Sequence, residues 1–184
     1  MKHYAINGQV REKGNKAVIK ATRKAGLVPC NLYGLGVENV LFTVDAKELK
    51  ALLSSPASYI IDLNLDGKAY TAVLHELQFH PVTDECLHID FLVVGEDKPV
   101  AIEVPVTISG HSVGVQKGGK FQQNLRKLRV CALMKDLPDV LPVDISDLDL
   151  GGKIKAGSLK YEGVTMLTDK DTIVCGVKAT RNSK

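Results

Sequence analysis

The residues best able to do chemistry in this sequence are four cations spaced as on one side of a helix. They are Lys16, Lys20, Arg23 and Lys24. At about 100° per residue the four side chains fall within an arc of about 100°, beside a face of small apolar residues. The helix itself contains no Asp or Glu, and Arg11 lies shortly before it. Such a stripe suits the phosphates of a nucleic acid, although the pattern also fits a helix that only faces water.

A second group of candidate side chains lies between residues 75 and 90. Its members are His75, His80, Cys86, His88 and Asp90. On a strand, Cys86, His88 and Asp90 would share one face, but alternate side chains of a strand diverge and do not converge on one ion. We therefore expect no metal and no cofactor. His75 shares strand parity with Leu77 and Phe79, so it is predicted to pack in the core.

Catalytic motifs are not evident in the sequence. The segment GVQKGGKF at residues 114–121 resembles a phosphate-binding loop, but Phe121 stands where Ser or Thr would hold magnesium. No Ser, Cys or carboxylate pair has an evident base and orienting partner. We expect a glycine-rich loop at residues 114–119 in which Gly118 and Gly119 form a turn beside a basic loop, and a protein that is not an enzyme.

Composition is that of an ordinary folded protein. The chain has 184 residues, of which 45% are hydrophobic and 24% charged, enough for one large domain or two small ones. No apolar run approaches the ~18–20 residues of a membrane span, and no signal peptide is evident, so we expect a cytoplasmic protein without membrane contact. The four cysteines form no C-x-x-C pair and are expected to be reduced and mostly buried.

Charge is segregated along the chain although the net charge is only +3. Residues 1–24 contain seven Lys or Arg and one Glu, whereas residues 38–110 contain twelve acidic and four basic residues. Residues 111–135 contain six basic residues and no acid. Basic blocks on a nearly neutral body favour attraction to a polyanion.

The elements that must position these residues are mostly strands, because apolar residues recur at period two between Gly, Pro and Asp. Asn15 and Asp45 are predicted to cap two helices, which end near residues 25 and 53. Asp66-Gly67 predicts a hairpin with a type I′ turn. Strands are predicted over residues 4–11, 28–34, 40–44, 59–65, 68–77 and 87–94.

The segment GEDKP at residues 95–99 is the best candidate for a domain boundary, because it is polar and lies between two apolar runs. We therefore divide the chain into residues 1–94 and 95–184. The second part also shows strand patterns, and Pro105 within its first strand favours an edge position or a bulge.

Several motifs, in their order and spacing, resemble those of one known family. In the first half they are VPCNLYG at 28–34, DGK at 66–68, QFHPV at 78–82 and HIDF at 88–91. In the second half they are EVPV at 103–106, GVQKGGKF at 114–121, RKLRV at 126–130 and VDISDLDLG at 143–151. The chain resembles the bacterial large-subunit ribosomal protein number twenty-five, in the longer two-domain form also called Ctc or general stress protein.

The resemblance implies a mainly β protein with an N-terminal β-barrel that carries two helices, and a C-terminal β-rich domain. It implies binding of 5S ribosomal RNA in the large ribosomal subunit, without catalysis. Transferred by position, it implies RNA contacts from Arg11, Lys16, Lys20, Arg23, Lys24, Tyr33, Gln78, His88 and Asp90. Residues 15–20 depart from the family's usual turn, which weakens the assignment of Lys16 and Lys20. Contacts of the C-terminal domain with ribosomal proteins are also expected. The alternative is a stress-related interaction protein whose C-terminal domain binds a protein partner.

Overall fold

The structure, a computed structural model, describes residues 1–55, 57–95 and 98–180. The helices are α1 (Lys16–Lys24), α2 (Ala46–Ser54), α3 (Val113–Gln116) and a 3-10 helix (Ala156–Ser158). The strands are β1 (Lys2–Val10), β2 (Leu27–Gly34), β3 (Val37–Asp45), β4 (Tyr59–Leu65), β5 (Lys68–Phe79), β6 (Cys86–Val93), β7 (Val100–Ser109), β8 (Lys120–Gln123), β9 (Lys127–Ala132), β10 (Leu141–Asp144), β11 (Lys153–Lys155), β12 (Val164–Met166) and β13 (Ile173–Lys178). Among these residues, none of the helices combines the length and hydrophobicity needed to span a bilayer.

The chain divides into two compact units, which we call unit 1 (Met1–Lys98) and unit 2 (Pro99–Lys184). The boundary predicted from the sequence lies after residue 94, and residues 96 and 97 of the segment predicted to join the domains lie outside the described residues. The predicted mainly β class is confirmed, as are the N-terminal barrel and its two helices.

Unit 1 is a closed barrel with the strand order β1-β3-β2-β6-β5-β4. Two of its pairings are parallel, β1 with β4 and β2 with β6, and the other four are antiparallel. Apolar side chains of alternating parity fill the interior, where the rings of Phe42 and Phe91 lie 5.6 Å apart. Closure leaves no free strand edge in this barrel, so a partner meets the outward-facing side chains of the strands and not unpaired backbone groups.

Local signals account for the ends of the elements in unit 1. The Asn15 side chain accepts hydrogen bonds from the backbone N–H groups of Ala17 and Val18, which caps α1 as predicted. Gly26 follows this helix at φ +80°, a conformation that costs glycine little. Asp66 and Gly67 both have positive φ, so the predicted type I′ turn between β4 and β5 is confirmed.

Two irregularities in β5 overturn the predicted place of His75. The pairing with β6 is in register at Leu74 opposite Phe91 and again at Glu76 opposite Asp90, so His75 is the extra residue of a β-bulge. The bulge changes the side-chain parity, and His75 is exposed instead of buried. A second register shift follows Gln78, and Phe79 is 46% exposed. The core-packing prediction for His75 was therefore wrong.

Unit 2 contains two sheets. The first has the order β10-β7-β9-β12, and the second has the order β11-β13-β8. A buried cluster formed by Val143, Ile145, Leu148, Cys175 and Val177 includes residues of both sheets, and Phe121 and Ile154 pack against it. Cys175 and Val177 of the second sheet therefore face a core, whereas Lys120, Lys153 and Lys178, of the opposite parity, are exposed.

Strand β7 is an inner strand of its sheet and shows no bulge at Pro105, so the predicted edge strand or bulge was wrong, although Pro105 itself is paired on one side only. Strand β7 pairs with β9 over Val100–Pro105 and with β10 from Val106 onward. The N–H of Val106 donates to the carbonyl oxygen of Arg126 beside β9, so the nitrogen of Pro105 faces the other side, just before the pairing with β10 begins. Proline is tolerated there because its missing N–H has no ladder partner to satisfy.

Candidate nucleic-acid interface

The outer face of strands β2, β6 and β5 carries a row of polar side chains. The register places Asn31 beside Asp90, and Asp90 opposite Glu76. One step along the sheet, His88 lies opposite Gln78. Intervening residues of β2 and β6 are in the core, which leaves the polar set on the outside. We call this set, together with Arg11 and Tyr33, the strand face.

Arg11 joins this face from the end of β1. Its backbone N–H donates to the carbonyl oxygen of Leu41 at 2.8 Å, and Leu41 pairs with Asn31 across β3 and β2. The pairing of β1 with β3 thus continues one residue beyond Val10 and places the Arg11 side chain on the outer surface beside Leu41, one strand away from Asn31.

Three polar atoms on the strand face are buried without a hydrogen-bond partner among the described residues. They are Arg11 Nε, Asn31 Oδ1 and Asp90 Oδ1. A buried donor or acceptor left unpaired costs about 1–3 kcal/mol, and most such groups in folded proteins are paired. Two acceptors on the adjacent strands β2 and β6, with a donor beyond the intervening strand β3, form a surface suited to a polar ligand.

His88 and Asp90 are two residues apart on β6 and face the same way. His88 Nδ1 lies 3.3 Å from Asp90 Oδ1, which is within ion-pair distance when the imidazole is protonated. Asp90 Oδ1 has no hydrogen-bond partner among the described residues, so this contact is an ion-pair contact and not a hydrogen bond. Both side chains are partly shielded, with 27% and 21% exposed. The imidazole can therefore turn towards a ligand while the carboxylate keeps an unpaired acceptor.

Tyr33 is held on the same face by the bulged His75. Its hydroxyl lies 3.1 Å from His75 Nδ1, and the two rings meet edge to face. Burial, followed by the negative charges of Asp90 and Glu76, raises the pKa of the Tyr33 hydroxyl above its ordinary value of 10.0. The hydroxyl is therefore protonated at neutral pH and can donate a hydrogen bond.

Helix α1 is attached to the barrel but has no buried residue. Val18, on its small apolar side, is 51% exposed. Among the described residues, no carboxylate pairs with Lys16, Lys20 or Lys24, and all three lysines are exposed. We call these lysines and Arg23 the helix stripe. An exposed helix with one cationic and one small apolar side suits close approach to a phosphate backbone.

Arg23 links the helix stripe to the strand face. Its Nε donates a 3.1 Å hydrogen bond to the carbonyl oxygen of Leu87, the residue before His88. The last turn of α1 is therefore fixed beside the start of β6, and part of the Arg23 guanidinium is engaged within the protein. The sequence indicated a cation here but not this positioning contact.

The structure thus brings together on the strand face five of the residues predicted from the sequence. They are Arg11, Tyr33, Gln78, His88 and Asp90. Asn31 and Glu76 were not predicted from the sequence, and His75 was predicted in the core instead. Asn31 could have been found, because it is the polar residue of opposite parity between the apolar Cys30 and Leu32 in VPCNLYG.

Metal and thiol chemistry find little support in the described part of the chain. No group of three or more His, Cys, Asp or Glu residues there is arranged to hold a metal ion. All four cysteines are free thiols, of which Cys30 and Cys175 are buried and Cys86 and Cys131 half-buried. Burial raises the pKa of both the Cys30 and Cys175 thiols, which keeps them protonated and weakly nucleophilic.

Comparisons with known proteins agree over both units. Residues 6–91 match the model of the Ribosomal L25p family, and residues 99–181 match that of the C-terminal domain of ribosomal protein TL5. Large ribosomal subunit protein bL25 of Porphyromonas gingivalis is 43% identical over 185 residues, covering 100% of this chain and 96% of that protein. The protein of the same name from Phocaeicola vulgatus is 44% identical over 190 residues, with 100% and 96% covered.

The similarity therefore extends over the whole chain, and the range matched to the L25p family model spans the segments that carry the strand face and the helix stripe. The two family matches also fall one in each compact unit. The chain belongs to the Ribosomal L25p family, in the two-domain form that carries a TL5-type C-terminal domain.

Proposed function

We propose that this chain is a structural, non-catalytic component of the large ribosomal subunit that binds 5S ribosomal RNA through unit 1. Family membership supports the ribosomal role, which implies a cytoplasmic, ribosome-associated protein. The proposed RNA-binding residues are Arg11, Lys16, Lys20, Arg23, Lys24, Tyr33, Gln78, His88 and Asp90, and we add Asn31. Contacts of unit 2 with other ribosomal proteins stay a prediction.

The observation that carries this proposal is the set of unpaired buried atoms on Arg11, Asn31 and Asp90. A folded protein gains by satisfying such atoms, and an RNA offers what they need. Arg11 can donate to a phosphate or to a base edge, while Asn31 and Asp90 can accept from base amino groups or from 2′-hydroxyls. The acceptors are informative, since a surface that only attracted phosphates would not place a carboxylate at its centre.

The helix stripe and the strand face have different tasks in this arrangement. Cations of the stripe lie at the surface, where their attraction to phosphates depends on salt and not on base sequence. Tyr33, Gln78 and His88 present hydrogen-bonding groups from strand positions that the barrel sets, which suits base edges and sugar hydroxyls in a shallow minor groove. We therefore assign affinity mainly to the stripe and specificity mainly to the strand face.

A titration of the full chain with 5S ribosomal RNA and with transfer RNA, each at a low and a high KCl concentration, tests the proposal. We expect binding of 5S RNA to be at least tenfold tighter, about 1.4 kcal/mol, at both concentrations, because the strand face contributes contacts that salt does not screen away. Equal affinity for the two RNAs at both concentrations would contradict specific recognition.

Asn31→Ala sharpens the test because it removes one of the unpaired acceptors and no charge. We expect weaker binding of 5S RNA, unchanged binding of transfer RNA, and a protein at least as stable as wild type, because an unpaired buried acceptor is removed. Asn64→Ala is the matched control, since Asn64 is an exposed asparagine on β4 of the same barrel. If the two variants bind 5S RNA equally well, Asn31 is not part of the site.

A further inference from the structure

The outer face of the second sheet in unit 2 carries three lysines, Lys120, Lys153 and Lys178, which we call the lysine face. Lys120 of β8 lies directly opposite Lys178 of β13. Two residues back along β13, Gly176 lies between Gln122 of β8 and Lys153 of β11. The residues of the other parity include Phe121, Ile154 and Val177, which belong to the buried side. All three lysines are exposed on the solvent side.

The charges of the lysine face are not neutralised within the described residues. None of its three ammonium groups has a carboxylate partner there, although other lysines of unit 2 do. Lys117 pairs with Asp149 at 2.8 Å, and Lys155 pairs with Asp171 at 2.9 Å. Like charges directly opposite one another on antiparallel strands are destabilising, because their Cβ atoms are only about 4.5–5.5 Å apart. The free protein thus keeps an unfavourable pair that a polyanion would turn into a favourable one.

The centre of the lysine face is polar and has no side chain at Gly176. A Cβ at Gly176 would lie 2.9 Å from the carbonyl oxygen of Gly152, so a side chain does not fit there. The neighbouring Gln122 is exposed and can donate its amide to a phosphate or a sugar hydroxyl. Protein interfaces usually have an apolar or aromatic centre, which this face does not offer. Three point charges around a polar centre suit a sugar-phosphate backbone better.

We propose that the lysine face of unit 2 binds the sugar-phosphate backbone of an RNA segment, separately from the strand face and helix stripe of unit 1. Each ammonium contacts phosphate oxygens, so the interaction depends on salt and is independent of base sequence. The chain would then contact RNA through both units.

The experiment compares Lys120→Gln/Lys178→Gln with wild type in the full chain. Three probes are each titrated over a range of KCl concentrations. They are large ribosomal subunits stripped of this protein, free 5S ribosomal RNA, and an RNA duplex of arbitrary sequence. The matched control is Lys127→Gln/Lys170→Gln, which removes two exposed lysines of the same unit that are not on the lysine face. Backbone protection of ribosomal RNA by wild type and variants is mapped on the same subunits by hydroxyl-radical footprinting.

We expect the lysine-face variant to bind subunits at least tenfold more weakly and to reduce the slope of log K against log salt by about 1.5, since each lost phosphate contact removes roughly 0.7–0.9. The footprint should lose a protected backbone segment that unit 1 does not contact. The duplex should show the same loss of slope, binding of free 5S RNA should change little, and the control variant should resemble wild type. The thermal midpoint should be unchanged or higher, because a repulsive pair is removed.

Unchanged subunit affinity and footprint in the lysine-face variant would overturn the proposal. An equal loss in the control variant would also overturn it, because the effect would then follow net charge and not this face. If affinity falls while every RNA footprint stays intact, the partner of the face is a protein, and the RNA assignment fails. Loss of duplex binding by the variant supports the proposal even if wild type does not bind subunits, in which case the ribosomal role alone would fail.

Discussion

The substitution Asp90→Asn distinguishes two roles for this carboxylate. Simple electrostatics predicts tighter binding of 5S RNA by the variant, whereas hydrogen-bond recognition predicts weaker binding. The carboxylate is 21% exposed, and its Oδ1 is buried without a hydrogen-bond partner among the described residues. If it accepts from an RNA amino group or 2′-hydroxyl, the amide loses a charge-assisted bond of about 1.5–3 kcal/mol. That loss corresponds to about a 10- to 150-fold increase in the Kd for 5S RNA. If it only lies near phosphates, removing its charge should tighten binding, most clearly at low salt.

The assay is a fluorescence titration with labelled 5S RNA at two salt concentrations, accompanied by thermal unfolding of the free protein. The variant should be at least as stable as wild type, because it replaces a largely buried charge that lacks a hydrogen-bonded partner at Oδ1. Asp62→Asn is the matched control: Asp62 is also paired with a histidine, His3 at 2.9 Å, but it lies on β4 of the same barrel with 47% of its side chain exposed. We expect the control to bind 5S RNA as wild type does.

Equal or tighter binding of 5S RNA by a folded Asp90→Asn variant would refute the reasoning. The unpaired oxygen would then be a cost of the fold and not a recognition element, and Asp90 would leave the site. A loss of the same size for transfer RNA would also refute it, because the lost contact would not be specific.

Three further predictions concern the helix, the two units and pH. Lys24→Ala should lower the slope of log K against log salt for RNA binding by about 0.7–0.9 without changing the thermal midpoint. Arg23→Ala should lower the midpoint as well, because the Arg23 Nε donates to the carbonyl oxygen of Leu87. Unchanged slopes would mean that the helix stripe faces only solvent. Residues 1–98 alone should fold, as judged by circular dichroism, and bind 5S RNA within tenfold of the full chain; weaker binding would place unit 2 in the site. Lys117→Gln should lower stability at neutral pH but not in acid. The hydrogen bond from Lys117 lowers the pKa of Asp149 below its ordinary value of 3.8. The stability that this pair contributes is therefore fully present above pH 3.8 and is lost as the pH falls through the lowered pKa. Urea unfolding from pH 2 to 7 measures the difference, and one that persisted in acid would contradict this cause.

The sequence alone determined the features that depend on neighbours a few residues away. Asn15 caps α1 because its side chain reaches N–H groups two and three positions on. Asp66-Gly67 forms its turn because both residues accept positive φ. Period-two patterning placed Ile89 and Phe91 inside and His88 and Asp90 outside. The cations of the helix stripe and five residues of the strand face were named on this basis and by resemblance, although their RNA contacts stay predictions.

Only the tertiary structure decided what depends on pairing between distant segments. Barrel closure pairs β2 in parallel with β6 and so places Asn31 beside Asp90, fifty-nine positions along the chain. The bulge at His75 comes from fitting β5 to β6, and no local pattern announces it. Strands β8 and β11 have four and three residues, too few to show a period, so the lysine face was not visible in the sequence. The physical reason is common to all three: side-chain parity is a local property, whereas register is chosen by the whole core when distant strands meet.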